Sequence, residues 1–320
     1  MALLECKGLS THFFLRRGVV KAVDDVSFSI EEGQTLGFVG ESGSGKSMTA
    51  RSLMRLVPKP GKIVGGSVLF DGVDLLSLSE KEMREYRGNY ISMILQDPLS
   101  SLNPVFSIGD QVGEGIRVHE GLTGAPLRQR VIALLRALGI PAAETRLGDY
   151  PHQFSGGMRQ RVVGAASIAC NPRLLIADEP TTSLDVTIQR QYLNLLKEIQ
   201  QREKLAMLFV THDFGIVANT CDYVAVMYAG RIVEYGAVRE IFDHPKHPYT
   251  RALMASVPNA DEKVDTLYNI DGQPPTLLNL APGCAFLPRC TARFGKCLSE
   301  EFPPSVESSE NHFVRCWHYA

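Results

Sequence analysis

The apolar and polar positions in the first part of the chain predict two strands, a loop and a helix. Residues 26–30 alternate between apolar and polar side chains, and the sequence EEGQ that follows is typical of a turn. Residues 35–39 form an apolar strand that leads directly into a glycine-rich loop, and residues 48–56 continue as a helix. A strand, a loop and a helix in this order are the setting that a phosphate-binding loop requires.

The rest of the pattern predicts an α/β core with a mainly parallel sheet. Residues 99–169 carry helical patterns such as LRQRVIALLRALGI, which indicate a helical insertion. Apolar strands are then predicted at residues 174–177, 207–210 and 223–227, with a helix at residues 187–202 between the first two. Strands that alternate with helices in this way favour parallel pairing.

The composition changes to Pro, Asn and Cys after about residue 258, with little periodicity. We therefore predict a nucleotide-binding domain at residues 1–258, with its helical subdomain at about residues 97–170, and a C-terminal extension at residues 259–320. The extension is expected to be held by something other than a hydrophobic core.

Length, charge and hydropathy favour a globular, soluble protein. The chain has 320 residues, of which 44% are hydrophobic, so it is long enough to bury a sizeable core. Its 33 basic and 35 acidic residues give a net charge of -2, which provides no basic field for a nucleic-acid partner. The N-terminus has no apolar stretch long enough for a signal peptide, and the longest apolar runs are about half a membrane span. We expect a soluble protein that stays where it is made.

The sequence GESGSGKS at residues 40–47 matches the full P-loop pattern. Its glycines allow successive N–H groups to point inward at a phosphate, Lys46 is expected to reach the β and γ phosphates, and the Ser47 hydroxyl is expected to bind Mg²⁺. An ordinary glycine-rich turn is the alternative. The predicted nucleotide-binding residues of this stretch are Gly40, Glu41, Ser42, Gly43, Ser44, Gly45, Lys46, Ser47 and Met48.

Two acidic residues end the apolar strand in the sequence RLLIADEP. Asp178 at the end of the strand fits the carboxylate that holds Mg²⁺ in P-loop NTPases, and Glu179 beside it is placed to polarise an attacking water. An acidic helix cap is the alternative interpretation.

The sequence FSGGMRQR at residues 154–161 lies at the start of a predicted helix. With this motif the chain resembles the ATP-binding subunit of an ABC transporter, whose signature usually reads LSGGQ, although Phe154 and Met158 depart from it. Ser155, Gly156 and Gly157 offer a hydroxyl and two unhindered N–H groups at a helix N-terminus, which is an anion site. The resemblance implies a P-loop NTPase core with an antiparallel β subdomain and a helical subdomain.

Further motifs of the family follow in order. The resemblance implies that Gln96 in ILQDP senses Mg²⁺ and water, that Asp185 belongs to the SLD motif at residues 183–185, and that His212 in FVTHD contacts the γ phosphate. By its place in LSTHF, Phe13 resembles the aromatic that stacks on adenine, with the adjacent Phe14 as the alternative. The implied catalytic residues are Lys46, Gln96, Glu179 and His212, and the implied Mg²⁺ ligands are Ser47, Gln96 and Asp178.

Several segments, among them YPHQFSGGMRQRV, IADEPTTSLDVTIQ and HPYTRAL, resemble the dipeptide and oligopeptide permease group. The resemblance implies an ATPase that energises peptide import, with ATP held between its P-loop and the signature motif of a second, related ATPase. It also implies a heterodimer that is peripheral to the cytoplasmic face of the inner membrane, with two membrane permease subunits and an external solute-binding protein.

Two other classes of protein are alternatives to a peptide importer: related importers and ABC proteins outside transport. Nickel and glutathione importers share many of these segments. ABC proteins of DNA repair carry a long coiled coil and those of translation carry two ATPase domains, and neither feature is present.

A cysteine cluster near the C-terminus has the spacing C-x5-C-x6-C-x18-C. The residues alone leave a [4Fe-4S] cluster, zinc, two disulfides or no occupant open, although a reducing cytosol disfavours disulfides and the tight pairs typical of structural zinc are absent. The resemblance adds GCxFxPRC, a sequence in which the family is expected to hold a [4Fe-4S] cluster. Nearby Arg289, Arg293 and Lys296 would offset the thiolate charge or form a solvated face. The predicted ligands are Cys284, Cys290, Cys297 and Cys316.

Overall fold

A computed structural model describes residues 2–97, 101–182, 184–256 and 269–320 of the chain. The chain divides into two compact units. The first unit comprises Met1–Ile30, Thr35–Leu76 and Phe209–Ala320, and the second comprises Glu31–Gln34 and Ser77–Leu208. Ser183 of the SLD motif and the predicted domain boundary near residue 258 lie outside the described residues.

Strands and helices alternate along the described chain. The strands are β1 (Leu4–Leu15), β2 (Gly18–Ile30), β3 (Thr35–Val39), β4 (Gly61–Phe70), β5 (Val73–Asp74), β6 (Ile91–Ile94), β7 (Leu174–Asp178), β8 (Ala206–Val210), β9 (Tyr223–Tyr228), β10 (Arg231–Ala237), β11 (Val306–Ser309) and β12 (His312–Val314). The helices are α1 (Lys46–Leu53), α2 (Glu80–Tyr86), α3 (Ile108–His119), α4 (Gly124–Ala137), α5 (Gly156–Ser167), α6 (Val186–Glu203), α7 (Phe214–Thr220), α8 (Val238–Asp243) and α9 (Pro248–Ala255).

The first unit contains the antiparallel β subdomain that the family resemblance predicts. Its strands lie in the order β2-β1-β4-β5. Leu4 of β1 is paired with Ile30 on one side and with Phe70 on the other. All three side chains are buried, so apolar positions at matching places in the strands define one face of this sheet.

A second sheet of the first unit carries the phosphate-loop strand and the chain's C-terminal strands. Their order is β11-β12-β10-β9-β3, and β3 pairs with β9 in parallel. Glu234 of β10 lies opposite Val314 of β12. The buried Glu234 carboxylate contacts the His312 ring nitrogen at 2.8 Å and accepts the N–H of His247 at 2.9 Å, which ties the C-terminal hairpin to the start of α9.

Apolar packing also holds the C-terminal segment, contrary to the sequence-based expectation. Ile270 and Phe286 are buried in one hydrophobic cluster with Val226 of β9 and Tyr249 of α9. The Phe286 ring lies edge-on to Tyr228, with 5.3 Å between centroids. A few large buried side chains thus hold the segment, although its sequence has no periodic apolar pattern.

The second unit contains parallel strands and the predicted helical insertion. β6 pairs in parallel with β7, and Ala206 at the start of β8 donates its N–H to the carbonyl of Arg173, just before β7. Helices α3, α4 and α5 bury apolar side chains such as Ile116 and Leu135. Within the described residues, no helix has the length and hydropathy needed to cross a bilayer.

Candidate functional site

The glycine-rich loop joins the end of β3 to the start of α1. Gly40 has φ of 151° and Gly45 has φ of 103°, and residues with a side chain rarely adopt either backbone conformation. A Cβ at Gly40 would lie 2.2 Å from the carbonyl oxygen of Met227, and a Cβ at Gly45 would lie 2.4 Å from that of Ala22. Glycine is therefore required at both positions by close backbone approach as well as by φ.

Lys46 lies inside this loop. Its side chain is buried, and its Nζ donates to the carbonyl oxygens of Gly40 at 2.7 Å and Glu41 at 3.0 Å and to the Ser44 hydroxyl at 3.3 Å. The ammonium and the N-terminus of α1 both place positive charge at the loop. Positive charge is thus concentrated at a loop in which Ser42 and Gly43 are exposed.

Glu41 is fixed from outside the loop by residues far along the chain. Its N–H donates to the Tyr249 hydroxyl at 2.8 Å. Its carboxylate accepts two hydrogen bonds from Arg289, at 2.7 Å from Nη1 and 3.0 Å from Nη2. This carboxylate raises the pKa of Arg289 above its usual value. No motif in the sequence marks Arg289 as a neighbour of the loop.

The first unit also contains Phe13 and His212. Phe13 is half-buried on β1, and its ring carbon lies 2.8 Å from the place that a Cβ on Gly61 would take, whereas the side chain of Phe14 is half exposed. His212 is exposed and directly follows Thr211, which donates its N–H to the carbonyl of Phe38 at 3.0 Å. The structure thus places His212 beside the end of β3, where the glycine-rich loop begins.

In the second unit, Gln96 and Glu179 lie together. Gln96 Nε2 donates to Glu179 Oε2 at 3.0 Å, and the Thr182 hydroxyl donates to the same oxygen at 3.0 Å. Asp178 is buried at the end of β7. Glu179 has φ of 46°, a left-handed conformation that is uncommon outside glycine and is often found at functional sites. The turn after β7 therefore holds the Glu179 carboxylate in a defined position.

The SGG motif forms the N-terminus of α5. Ser155 is the N-cap, and its hydroxyl accepts the N–H of Met158 at 3.3 Å. Ser155 and Gly156 are exposed, and a Cβ at Gly156 would meet nothing within 4 Å. Phe154, which replaces the usual leucine, is buried, with the guanidinium of Arg146 at 5.4 Å from its ring centroid. Phe154 therefore differs from the usual signature at a buried position, and the exposed Ser155 and Gly156 at the start of the helix match it.

Asp185 is the N-cap of α6. Its carboxylate accepts the N–H of Ile188 at 3.0 Å, and the side chain is exposed. Asp185 therefore stabilises its own helix, whatever else it contacts in an assembled protein.

The four C-terminal cysteines line one small cavity, together with His247, Phe286 and Trp317. Burial raises the pKa of Cys284 to about 11 and also raises the pKa of Cys290 and Cys316. Four thiols are the donor set of a [4Fe-4S] cluster and of structural zinc. As the described residues are placed, however, no group of three or more His, Cys, Asp or Glu could hold a metal ion.

Sequence comparisons match most of the chain to known families. Residues 23–182 match the family described as ABC transporter, and residues 233–297 match the C-terminal region of oligopeptide and dipeptide transporters. The chain is 50% identical to the dipeptide transport ATP-binding protein DppD of Lactococcus lactis, over 98% of this chain and 90% of that protein. It is 49% identical to the oligopeptide transport ATP-binding protein OppD of Bacillus subtilis, over 98% of this chain and 88% of that protein.

Solved structures with a similar fold come from ABC transporters. The dimeric structure of MJ0796, a bacterial ABC transporter cassette, has a TM-score of 0.67 at 25% identity, over 74% of this chain and 99% of that one. The structure of cbiO1 from Clostridium perfringens, part of the ABC transporter complex cbiONQ, has a TM-score of 0.63 at 29% identity, over 76% of this chain and 91% of that one.

Proposed function

Because the chain belongs to the dipeptide and oligopeptide transport ATP-binding proteins of the ABC transporter family, we propose that it hydrolyses ATP to drive the import of short peptides. The observation that carries the ATPase function is the glycine-rich loop closed around the buried Lys46. Peptides are the proposed cargo because the relatives that match nearly the whole chain are named for dipeptide and oligopeptide transport.

The loop residues bind the nucleotide phosphates. Inward N–H groups and the Lys46 ammonium hold the β and γ phosphates, and Phe13 stacks on the adenine. By the family resemblance, Ser47, Asp178 and Gln96 would hold Mg²⁺, because their oxygen atoms are the hard ligands that this ion prefers. When bound, Mg²⁺ neutralises charge that develops on the phosphates.

Glu179 is the residue that activates water. Gln96 and Thr182 hold its carboxylate, which leaves it oriented to accept a proton from an attacking water. His212, next to the end of β3, stabilises the γ phosphate during transfer. Together these residues form the proposed catalytic set with Lys46.

The exposed SGG motif supports a function in a pair of ATPases. We expect Ser155, Gly156 and Gly157 to contact ATP bound to the loop of a second, related ATPase, with Asp185 near the same interface. The pair would act at the cytoplasmic face of the membrane below two permease subunits, with an external solute-binding protein that delivers the peptide. Hydrolysis would remove the phosphate that joins the two ATPases and let them separate.

The function is tested by Glu179→Gln in the assembled transporter. We expect ATP to bind as before and peptide-stimulated phosphate release to fall by at least about a hundredfold, because the general base is lost. Glu198→Gln, at an exposed position of α6, is the matched control and should leave turnover unchanged. Undiminished turnover in Glu179→Gln would overturn the catalytic assignment, and stimulation by Ni²⁺ or glutathione instead of peptide would overturn the cargo.

The cysteine cavity is the proposed site of a [4Fe-4S] cluster. Four thiols around one cavity supply its ligands, and a cubane cluster accepts thiolates that lie further apart than those around a single ion. Anaerobic purification should yield iron and sulfide and a broad visible absorbance, and Cys297→Ser should lower all three. Cys221→Ser, outside the cavity, is the control. Stoichiometric zinc in a colourless protein would refute the cluster.

A further inference from the structure

A single arginine connects the cysteine-bearing segment to the phosphate loop. Arg289 forms a two-bond fork with the Glu41 carboxylate, and the arginine side chain is only 4% exposed while that of Glu41 is 24% exposed. Planar forked pairs of this kind are among the stronger and geometrically more specific hydrogen bonds in proteins. The contact therefore fixes the position and orientation of the Glu41 side chain.

Arg289 is itself held by fixed groups. Its Nε donates to the carbonyl of Asp271 at 3.0 Å, its Nη1 to the Tyr228 hydroxyl at 3.3 Å and its Nη2 to the carbonyl of Ile270 at 3.4 Å. Tyr228 ends β9, the strand beside β3. The guanidinium thus has partners at each nitrogen, and it cannot leave Glu41 without breaking several hydrogen bonds.

The same segment reaches the cysteine cavity. Arg289 ends a short 3-10 turn, Leu287–Arg289, and directly precedes Cys290. The turn begins where the Leu287 N–H bonds to the carbonyl of Cys284 at 3.0 Å. Phe286 packs against Tyr249, whose hydroxyl accepts the Glu41 N–H. The segment that carries two cavity thiols therefore includes Arg289, and through Phe286 it contacts Tyr249, the second support of Glu41.

We propose that Arg289 is a positioning residue for ATP binding, which holds the phosphate loop through Glu41 and neutralises this carboxylate next to the bound phosphates. This inference rests on the proposed ATP site. The Lys46 ammonium bonds to the Glu41 carbonyl, so movement of Glu41 also disturbs the lysine. Without Arg289, the Glu41 carboxylate would lie unpaired beside the polyanion and repel it.

The test is the affinity of the full-length chain for Mg·ATPγS, measured by isothermal titration calorimetry. Arg289→Ala should weaken binding about tenfold, equivalent to about 1.4 kcal/mol. Adding Glu41→Gln to this variant removes the repelling charge and should restore affinity to within about threefold of wild type. Arg239→Ala is the matched control, because it removes an arginine–carboxylate pair on the surface of α8 and should leave affinity unchanged.

The outcomes separate this inference from the proposed function. If the wild-type chain does not bind Mg·ATPγS, the ATP site itself is wrong. If the wild type binds and Arg289→Ala binds equally well, Arg289 does not position the loop. A double variant as weak as Arg289→Ala would overturn the neutralisation of Glu41, because loss of the carboxylate charge would then not compensate for loss of the arginine. Should Arg289→Ala not fold, Arg289→Lys keeps the charge and loses the fork, and about threefold weaker binding is expected.

Discussion

Two helix N-termini in this protein have similar sequences and opposite environments. The loop before α1 and the SGG motif at the start of α5 both place serine and glycine at a helix N-terminus, where backbone N–H groups can bind an anion. The first is enclosed: Ser44 and Lys46 are buried, and Tyr249 and Arg289 fix its flank. The second is open, with Ser155 and Gly156 exposed and free space around Gly156.

The difference in enclosure indicates which half of the proposed ATP site functions without a second protein. In the enclosed loop, hydrogen bonds within the same chain hold the Lys46 side chain among Gly40, Glu41 and Ser44. The open motif offers a hydroxyl and N–H groups on an exposed surface. This arrangement is suited to a binding site whose other side is provided by a second protein. Changes at the two places should accordingly act on different steps.

The largest expected effect is at the enclosed loop. Lys46→Ala should lower the affinity of the full-length chain for Mg·ATPγS about a hundredfold, because a buried charge-assisted contact to phosphate is lost. Calorimetry measures this directly. Lys62→Ala on β4 is the control for loss of a lysine. Binding within a few fold of wild type would mean that the enclosed loop does not hold the nucleotide.

A smaller effect is expected at the open motif. Gly156→Asp fits without a clash and adds a negative charge at the α5 N-terminus. The isolated chain should bind Mg·ATPγS as the wild type does, whereas ATP turnover of the assembled transporter should fall about tenfold because the charge opposes phosphate on the partner ATPase. Weaker binding by the isolated chain would contradict the division between the two motifs.

The smallest effect is expected at Asp185, where two variants distinguish helix capping from a function at the interface. Asp185→Ala should lower the free energy of unfolding by about 1 kcal/mol, since the N-cap bond to Ile188 is lost, whereas Asp185→Asn keeps a good cap. Urea denaturation of both variants measures this. If Asp185→Asn retains stability but slows turnover of the assembled transporter, the charge has a function at the interface beyond capping. Equal stability of all three proteins would show that the cap bond contributes little.

The sequence predicts the phosphate loop well because its chemistry leaves few choices. β3 spans the predicted residues 35–39, and the glycines are required by close backbone approach at Gly40 and Gly45. The helix was predicted to begin at residue 48, but α1 already begins at Lys46. Propensity alone could not place this start, since the preceding glycine, Gly45, serves as its cap.

The contacts of the C-terminal segment could not be predicted in the same way. Arg289 was interpreted as a charge beside the thiolates or as a solvated residue, and it is instead buried against Glu41. A periodic pattern cannot predict the contact between Arg289 and Glu41, because the two residues are far apart along the chain. The sequence around an arginine also does not indicate which groups will accept its hydrogen bonds. The burial of Phe286 could not be predicted either, because a single apolar residue in an irregular segment does not produce a hydrophobic periodicity.

The Glu41–Arg289 contact can form only late in translation. Its two residues are separated by 248 positions, so a chain emerging from the ribosome exposes the glycine-rich loop long before its clamp has been synthesised. A nascent chain that ends before residue 289 would contain every residue of the loop and still lack this support. Completion of translation, and not synthesis of the motif itself, would then mark the moment at which the subunit can hold ATP at full strength.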